Sequence, residues 1–198
     1  MSDLRVTREG AFTFLEWSGG RVRCAVGRGG IAHKKTEGDG ITPIGTWPLR
    51  HVLYRPDHVP PPTTGLPVAA IASDDGWCDA PSDRAYNCPV TLPYPASAEA
   101  MTRADRLYDI VVVLGHNDAP VIPDAGSAIF LHVMRDDEGP TQGCVAFRRD
   151  DLLASLPWED HNPLMLDVMM YAKVAPRGDV VVRKESVGAF RVSTSSWS

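Results

Sequence analysis

The run Tyr108-Asp-Ile-Val-Val-Val-Leu114 is short, apolar and rich in β-branched side chains, and flanking turn residues bound it. That pattern reads as a strand covered on both faces. A second such run, Ala128-Ile-Phe-Leu131, ends on His132 after a turn-rich stretch. Towards the N-terminus, residues 4–26 alternate apolar and polar side chains around the turn Ser18-Gly-Gly20, the mark of hairpins. Towards the C-terminus, Arg149-Asp-Asp-Leu-Leu-Ala-Ser-Leu156 reads as a short helix stopped by Pro157, and Leu164-Met-Leu-Asp-Val-Met-Met170 as a last strand. Residues 96–107, rich in alanine and charge, predict a second short helix capped by Ser97. The expected fold is therefore mainly β, a sandwich or mixed sheet with one or two short helices.

The 198 residues suit one compact domain. Residues 1–175 carry the patterned elements, and 176–198 turn polar and serine-rich, reading as a peripheral or disordered tail. A net charge of -5 gives no electrostatic reason to bind nucleic acid or an anionic membrane surface. No stretch reaches the ~18 apolar residues of a membrane span, and Met1 to Gly10 shows no apolar core or cleavage site of an export signal. Cysteines 24, 78, 88 and 144 form no C-x-x-C pair, so no metal site is expected. Cys78 and Cys88 flank a loop-like run and are a disulfide pair or two free thiols. The glycines of residues 27–40 do not follow a strand and open a helix, which excludes a phosphate loop.

Chemistry concentrates around Cys144. A thiol acts as a nucleophile when a base or cation is in reach, and His132, at the end of a buried strand, is the nearest rigidly held base. Thr141-Gln-Gly143 before the cysteine allows a tight turn whose backbone N–H groups would face an oxyanion. A helix soon after Val145 would bring its positive N-terminus towards the sulfur. The bland alternative is a buried inert thiol and a hydrogen-bonded rim histidine. His116 and Asn117 close the strand that precedes the His132 strand. Side-by-side strand ends would set both imidazoles over one cleft, the alternative being a solvated loop histidine.

The stretch Ile129-Phe-Leu-His-Val-Met-Arg-Asp-Asp-Glu-Gly-Pro-Thr-Gln-Gly-Cys-Val145 resembles the active-site signature of the L,D-transpeptidase (YkuD-type) catalytic domain. Upstream, Gly38-Asp-Gly-Ile-Thr-Pro-Ile-Gly-Thr-Trp47 resembles that family's Thr-Pro-x-Gly-x-aromatic segment. Two motifs in the right order are far more specific than either alone. The resemblance implies Cys144 as acyl-accepting nucleophile, His132 as its proton acceptor, and Gly143 and Thr141 as shapers of the oxyanion turn. It implies a reaction without metal or organic cofactor, in which donor and acceptor stem peptides of bacterial peptidoglycan are the partners. It also implies a periplasmic setting, the cytoplasm being the alternative for a chain without visible export signal.

Several positions depart from the family pattern. Val133 follows the histidine where glycine is usual, eleven residues separate His132 from Cys144, and Ala146 stands where the family has arginine. Arg135 and Arg148 are the candidate replacements, although planar bidentate recognition does not follow from nearness in sequence. The departures resemble a divergent proteobacterial subgroup associated with crosslinks from L-alanine to meso-diaminopimelate. The long run 55–94 is expected to fold over the cleft as a lid and grip the substrate through Trp77, Tyr86 and Asn87. Alternatively, its prolines merely stiffen a surface excursion and Trp77 packs on the core. Hydrolysis of the same thioester would make an L,D-carboxypeptidase of peptidoglycan recycling, and an inert Cys144 a peptidoglycan-binding module. A papain-like protease fits less well, because here the histidine precedes the cysteine.

Overall fold

A computed structural model describes residues 4–17, 19–34, 36–155 and 165–168. Alternation in the first quarter gives β1 (Leu4–Glu9), β2 (Phe12–Trp17) and β3 (Gly20–Cys24), two successive antiparallel hairpins. A pair of two-residue parallel strands follows, β4 (Ile31–Ala32) with β5 (Thr42–Pro43), and then the long β6 (Gly45–Tyr54). The two apolar runs become β11 (Ile110–Leu114) and β12 (Phe130–Val133), paired antiparallel. After the cysteine come β13 (Val145–Phe147), α1 (Arg149–Ser155) and β14 (Met165–Val168). Among the described residues α1 is the one helix, and none is long and apolar enough to cross a membrane.

The large sheet runs β13-β12-β11-β6-β14-β1-β2-β3, with β7 (Val68–Ala70) added beside β6. Its two ends meet. Ala25, one residue past β3, exchanges both backbone hydrogen bonds with Ala146 of β13, at 2.7 and 2.9 Å. The seam closes the sheet on itself and uses up edge hydrogen-bonding groups that would otherwise face solvent. Leu4, Val6, Leu15, Val52, Ile110, Val112, Leu131, Phe147 and Leu152 fill the interior.

The opposite face of β11 is buried too. Val111 and Val113 pack with Ile71, Trp77, Met101, Tyr108, Phe130 and Cys144. The cover is the long excursion, which folds into a three-stranded antiparallel sheet of β8 (Asp75–Cys78), β9 (Pro89–Thr91) and β10 (Ala98–Ala100), in the order β10-β8-β9. This second layer explains why β11 is apolar without alternation. It also corrects the expected helix over 96–107: Ala98, Glu99 and Ala100 pair with Cys78, Trp77 and Gly76 instead. Strand pairing against a buried partner outweighs the helix propensity of alanine. All four cysteines are free thiols in this structure. The tail from residue 176 lies outside the described residues.

Candidate active site

β12 carries His132 and the loop before β13 carries Cys144, and the parallel pairing of these strands sets His132 opposite Ala146. Both reactive side chains line one cleft of about 620 Å³. Sγ of Cys144 is wedged between backbone groups: it donates to the Ala128 carbonyl at 3.2 Å and accepts from the Phe130 N–H at 3.4 Å. Burial pushes the thiol up to about 12, so the sulfur holds its proton at rest. Burial likewise pulls His132 down to about 4. Its Nδ1–H donates to the Val133 carbonyl at 2.7 Å, which leaves Nε2 as the basic nitrogen. The resting pair is neutral on both sides. The expected help from a helix N-terminus is not found, because β13 intervenes and α1 begins at Arg149.

The turn before the nucleophile is tied on both sides. Gly143 adopts φ +142°, and a Cβ there would stand 3.1 Å from the Ile41 carbonyl oxygen, so glycine is required. Its N–H donates to Thr141 Oγ1 at 3.1 Å, and that hydroxyl donates to the Cys144 carbonyl at 2.6 Å. From the other side Thr42 donates to the Gly143 carbonyl at 2.8 Å and accepts from the Gly27 N–H at 2.8 Å. The Thr-Pro segment is thus a brace for the nucleophile's loop, which its sequence alone does not say.

The other predicted site residues divide. Arg135 lines the cleft but is exposed and paired with Asp137 at 2.8 Å. Arg148 does not line it; its guanidinium reaches Glu138 at 3.0 Å and is otherwise in solvent. His116 is buried edge-on against Trp47, with ring centroids 4.8 Å apart and Nε2 on the Ala125 carbonyl, and it too stays outside the cleft lining. Asn117 organises its own loop through Ile122 and Gly126.

The lid idea fails on where its side chains point. Trp77 is buried edge-to-face on Phe130 at 5.1 Å and donates its indole N–H to Asn87 Oδ1 at 3.1 Å. Tyr86 is 2% exposed, hydrogen-bonded to Glu37 and to the Gly126 N–H. Asn87 accepts from the Ala128 N–H at 3.0 Å and donates to the His116 and Asn117 carbonyls. None of the three lines the cleft. The excursion mainly covers apolar β11 and β12 from behind, and of residues 55–94 only Asp79 lines the cleft.

The charged and phenolic cleft residues outside both motifs are Arg28, Lys34, Glu37, Asp79, Glu99, Arg103 and Tyr108. Lys34, only 4% exposed at its side chain, is paired with Asp39 at 2.6 Å; its place in the charged loop ahead of the Thr-Pro segment is the one available sign. Lys34 and Arg103 both favour negative charge on Cys144. Tyr108 stands edge-on to His132 with centroids 5.4 Å apart. Ala146, buried at 1% exposure, offers no cation of its own. No group of His, Cys, Asp and Glu able to hold a metal occurs among the described residues.

The chain matches the family model of the L,D-transpeptidase catalytic domain (YkuD) over residues 6–182. It belongs to that family, whose members are cysteine-dependent enzymes acting on peptidoglycan. No curated protein matches it.

Proposed function

We propose that this protein is a peptidoglycan L,D-transpeptidase that works through a thioester on Cys144. The observation that carries the reading is the thiol and the Nε2 base of His132 in one cleft, on a glycine turn tied by both family motifs. His132 takes the thiol proton as sulfur attacks a stem-peptide carbonyl. Lys34 and Arg103 favour the negative charge that develops. The departing amine takes the proton from His132, and the acyl group stays on sulfur. An amine of a second stem then displaces sulfur and forms the crosslink. The departures at Val133 and Ala146 favour the subgroup that joins L-alanine to meso-diaminopimelate. The substrate carries with it a periplasmic location.

The test is incubation with purified muropeptides, followed by mass spectrometry of products and intact protein. The expected result is crosslinked dimers and a transient acyl adduct on Cys144. Shortened monomers alone would make the enzyme an L,D-carboxypeptidase. Absence of adduct and product alike would overturn the enzymatic reading.

A further inference from the structure

Among the described residues, four Lys and Arg side chains line the cleft that holds Cys144, and three of them are already paired. Lys34 is held by Asp39, Arg103 by Asp105 and Glu99, and Arg135 by Asp137. Arg28 has no carboxylate partner among the described residues; its guanidinium makes one hydrogen bond, from Nη2 to the Gly38 carbonyl at 3.3 Å. Glu37, in the same loop and the same cleft, is turned instead to Tyr86 and to the Gly38 N–H. Most of the guanidinium's donors are therefore left for another partner.

Both the backbone and the stem of Arg28 are fixed. Its N–H donates to the Thr141 carbonyl at 2.9 Å, in the turn that leads to the nucleophile. Its neighbours Gly27 and Gly29 donate to Thr42 Oγ1 and to the Gly40 carbonyl, each at 2.8 Å, so the loop is laced to the Thr-Pro brace. The side chain lies across Gly40: a Cβ there would stand 2.7 Å from Cγ and 2.9 Å from Nε of Arg28. A long side chain held along its stem, with donors open at its end, loses little rotamer freedom when it takes an anion.

The substrate brings one. Acyl transfer from an L-centre releases the D-residue that follows, and in a peptidoglycan stem that residue carries a free carboxylate beside the departing nitrogen. This is the negative charge nearest the reacting carbonyl, and its planar shape suits the guanidinium fork. We propose that Arg28 binds the carboxylate of the departing D-residue and so determines which donors the cleft accepts. The assignment rests on the thioester reading above and deepens it by naming a residue that selects the donor. A donor with a carboxamide in that place keeps the shape and loses the charge-assisted pair.

The test uses the full chain and donors matched in pairs. Muropeptides with D-glutamate at the second position are compared with their D-isoglutamine counterparts, and those ending in D-alanine with those ending in D-alaninamide. Acylation of Cys144 is followed by intact mass in the wild type and in Arg28→Gln. The wild type is expected to be acylated at least about tenfold faster by the carboxylate member of the pair it accepts, and Arg28→Gln to narrow that preference to within about threefold. Each preference is a ratio within one protein, so a partial loss of folded chain cancels. A wild type indifferent to the carboxylate, or a variant that keeps the full preference, would overturn the assignment, while the acyl adduct would leave the thioester mechanism standing. A wild-type chain that acquires no adduct from any donor would overturn both, and the mass of the protein tells the two failures apart.

Discussion

Thr42 and Gly143, 101 positions apart in the chain, are joined by a 2.8 Å hydrogen bond from the threonine hydroxyl to the glycine carbonyl. The same buried oxygen accepts from Gly27, so one side chain pins two loops against each other. Thr42→Val keeps the shape and removes both bonds, leaving a buried N–H and a buried carbonyl short of a partner. A stability loss of about 1–3 kcal/mol is expected, with slower acylation of Cys144 by a carbapenem. Urea unfolding and intact-mass kinetics measure the two effects. Unchanged values for both would reduce Thr42 to a bystander.

A neutral resting pair separates two kinds of thiol reaction. Iodoacetamide, which needs a preformed thiolate, is expected to label native Cys144 at neutral pH at least about a hundredfold more slowly than free cysteine. Acylating substrates draw the proton to His132 during attack. His132→Gln should therefore cut acylation by about 10²-fold and leave the slow alkylation as it was, and Cys144→Ala should abolish turnover. Rapid alkylation of the wild type would show a resting thiolate.

Stability should fall towards both acid and alkali. Below its ordinary value of 6.5 an unfolded histidine takes up a proton that folded His132 refuses until about pH 4. Stability is therefore lost as pH falls through that window, by up to about 3 kcal/mol from this residue. The thiol works the other way: above about pH 8.5 the unfolded chain releases a proton that the fold retains up to about 12. Urea midpoints from pH 4 to 7 should show a shallower acid slope in His132→Gln. Parallel slopes would mean that His132 does not carry the difference.

Asn87 is the joint between the excursion and the nucleophile. Its amide holds Trp77 and the Ala128 N–H, and the Ala128 carbonyl holds the thiol. Asn87→Ala is expected to cost about 2–4 kcal/mol through the buried groups left unpaired and to lower kcat, since the thiol loses its orientation. Trp77→Ala should cost about 3–5 kcal/mol as a core truncation, with KM little changed in the fraction that stays folded. A large rise in KM for Trp77→Ala would restore a substrate-gripping role.

At Gly143 the expected effect of alanine is local. With φ at +142° and a carbonyl oxygen 3.1 Å from the new Cβ, Gly143→Ala strains the turn by about 1–3 kcal/mol. Acylation should slow at least tenfold. A variant that acylates at the wild-type rate would show that the turn tolerates a side chain.

The hairpins, β11, β12, α1 and both motifs were legible because each is local: alternation, unbroken β-branched runs and fixed spacings read directly from neighbouring residues. The position of residues 55–94 was not, because composition reports a long ordered excursion without saying which face of β11 it covers. Ala98 to Ala100 show the same limit, since a propensity for helix says nothing of a waiting partner strand at Gly76 to Cys78. For the site, Cys144 and His132 stand in motifs. Lys34, Glu99 and Asp79 reach the cleft through pairings of distant segments, and Tyr108 lies before β11 begins, where alternation gives no guide.

The seam at Ala25 and Ala146 gives the site a dependence on the order of synthesis. Residues 24–28 leave the ribosome early, whereas residues 141–147, which they border through Ala25, Thr141 and Ala146, emerge near the end of the described chain. The loop of Cys144 has its bracing partners only when both stretches exist and the hairpins have docked. An N-terminally clipped chain thus carries the cysteine without the frame that arms it, and reactivity arrives together with completion of the fold.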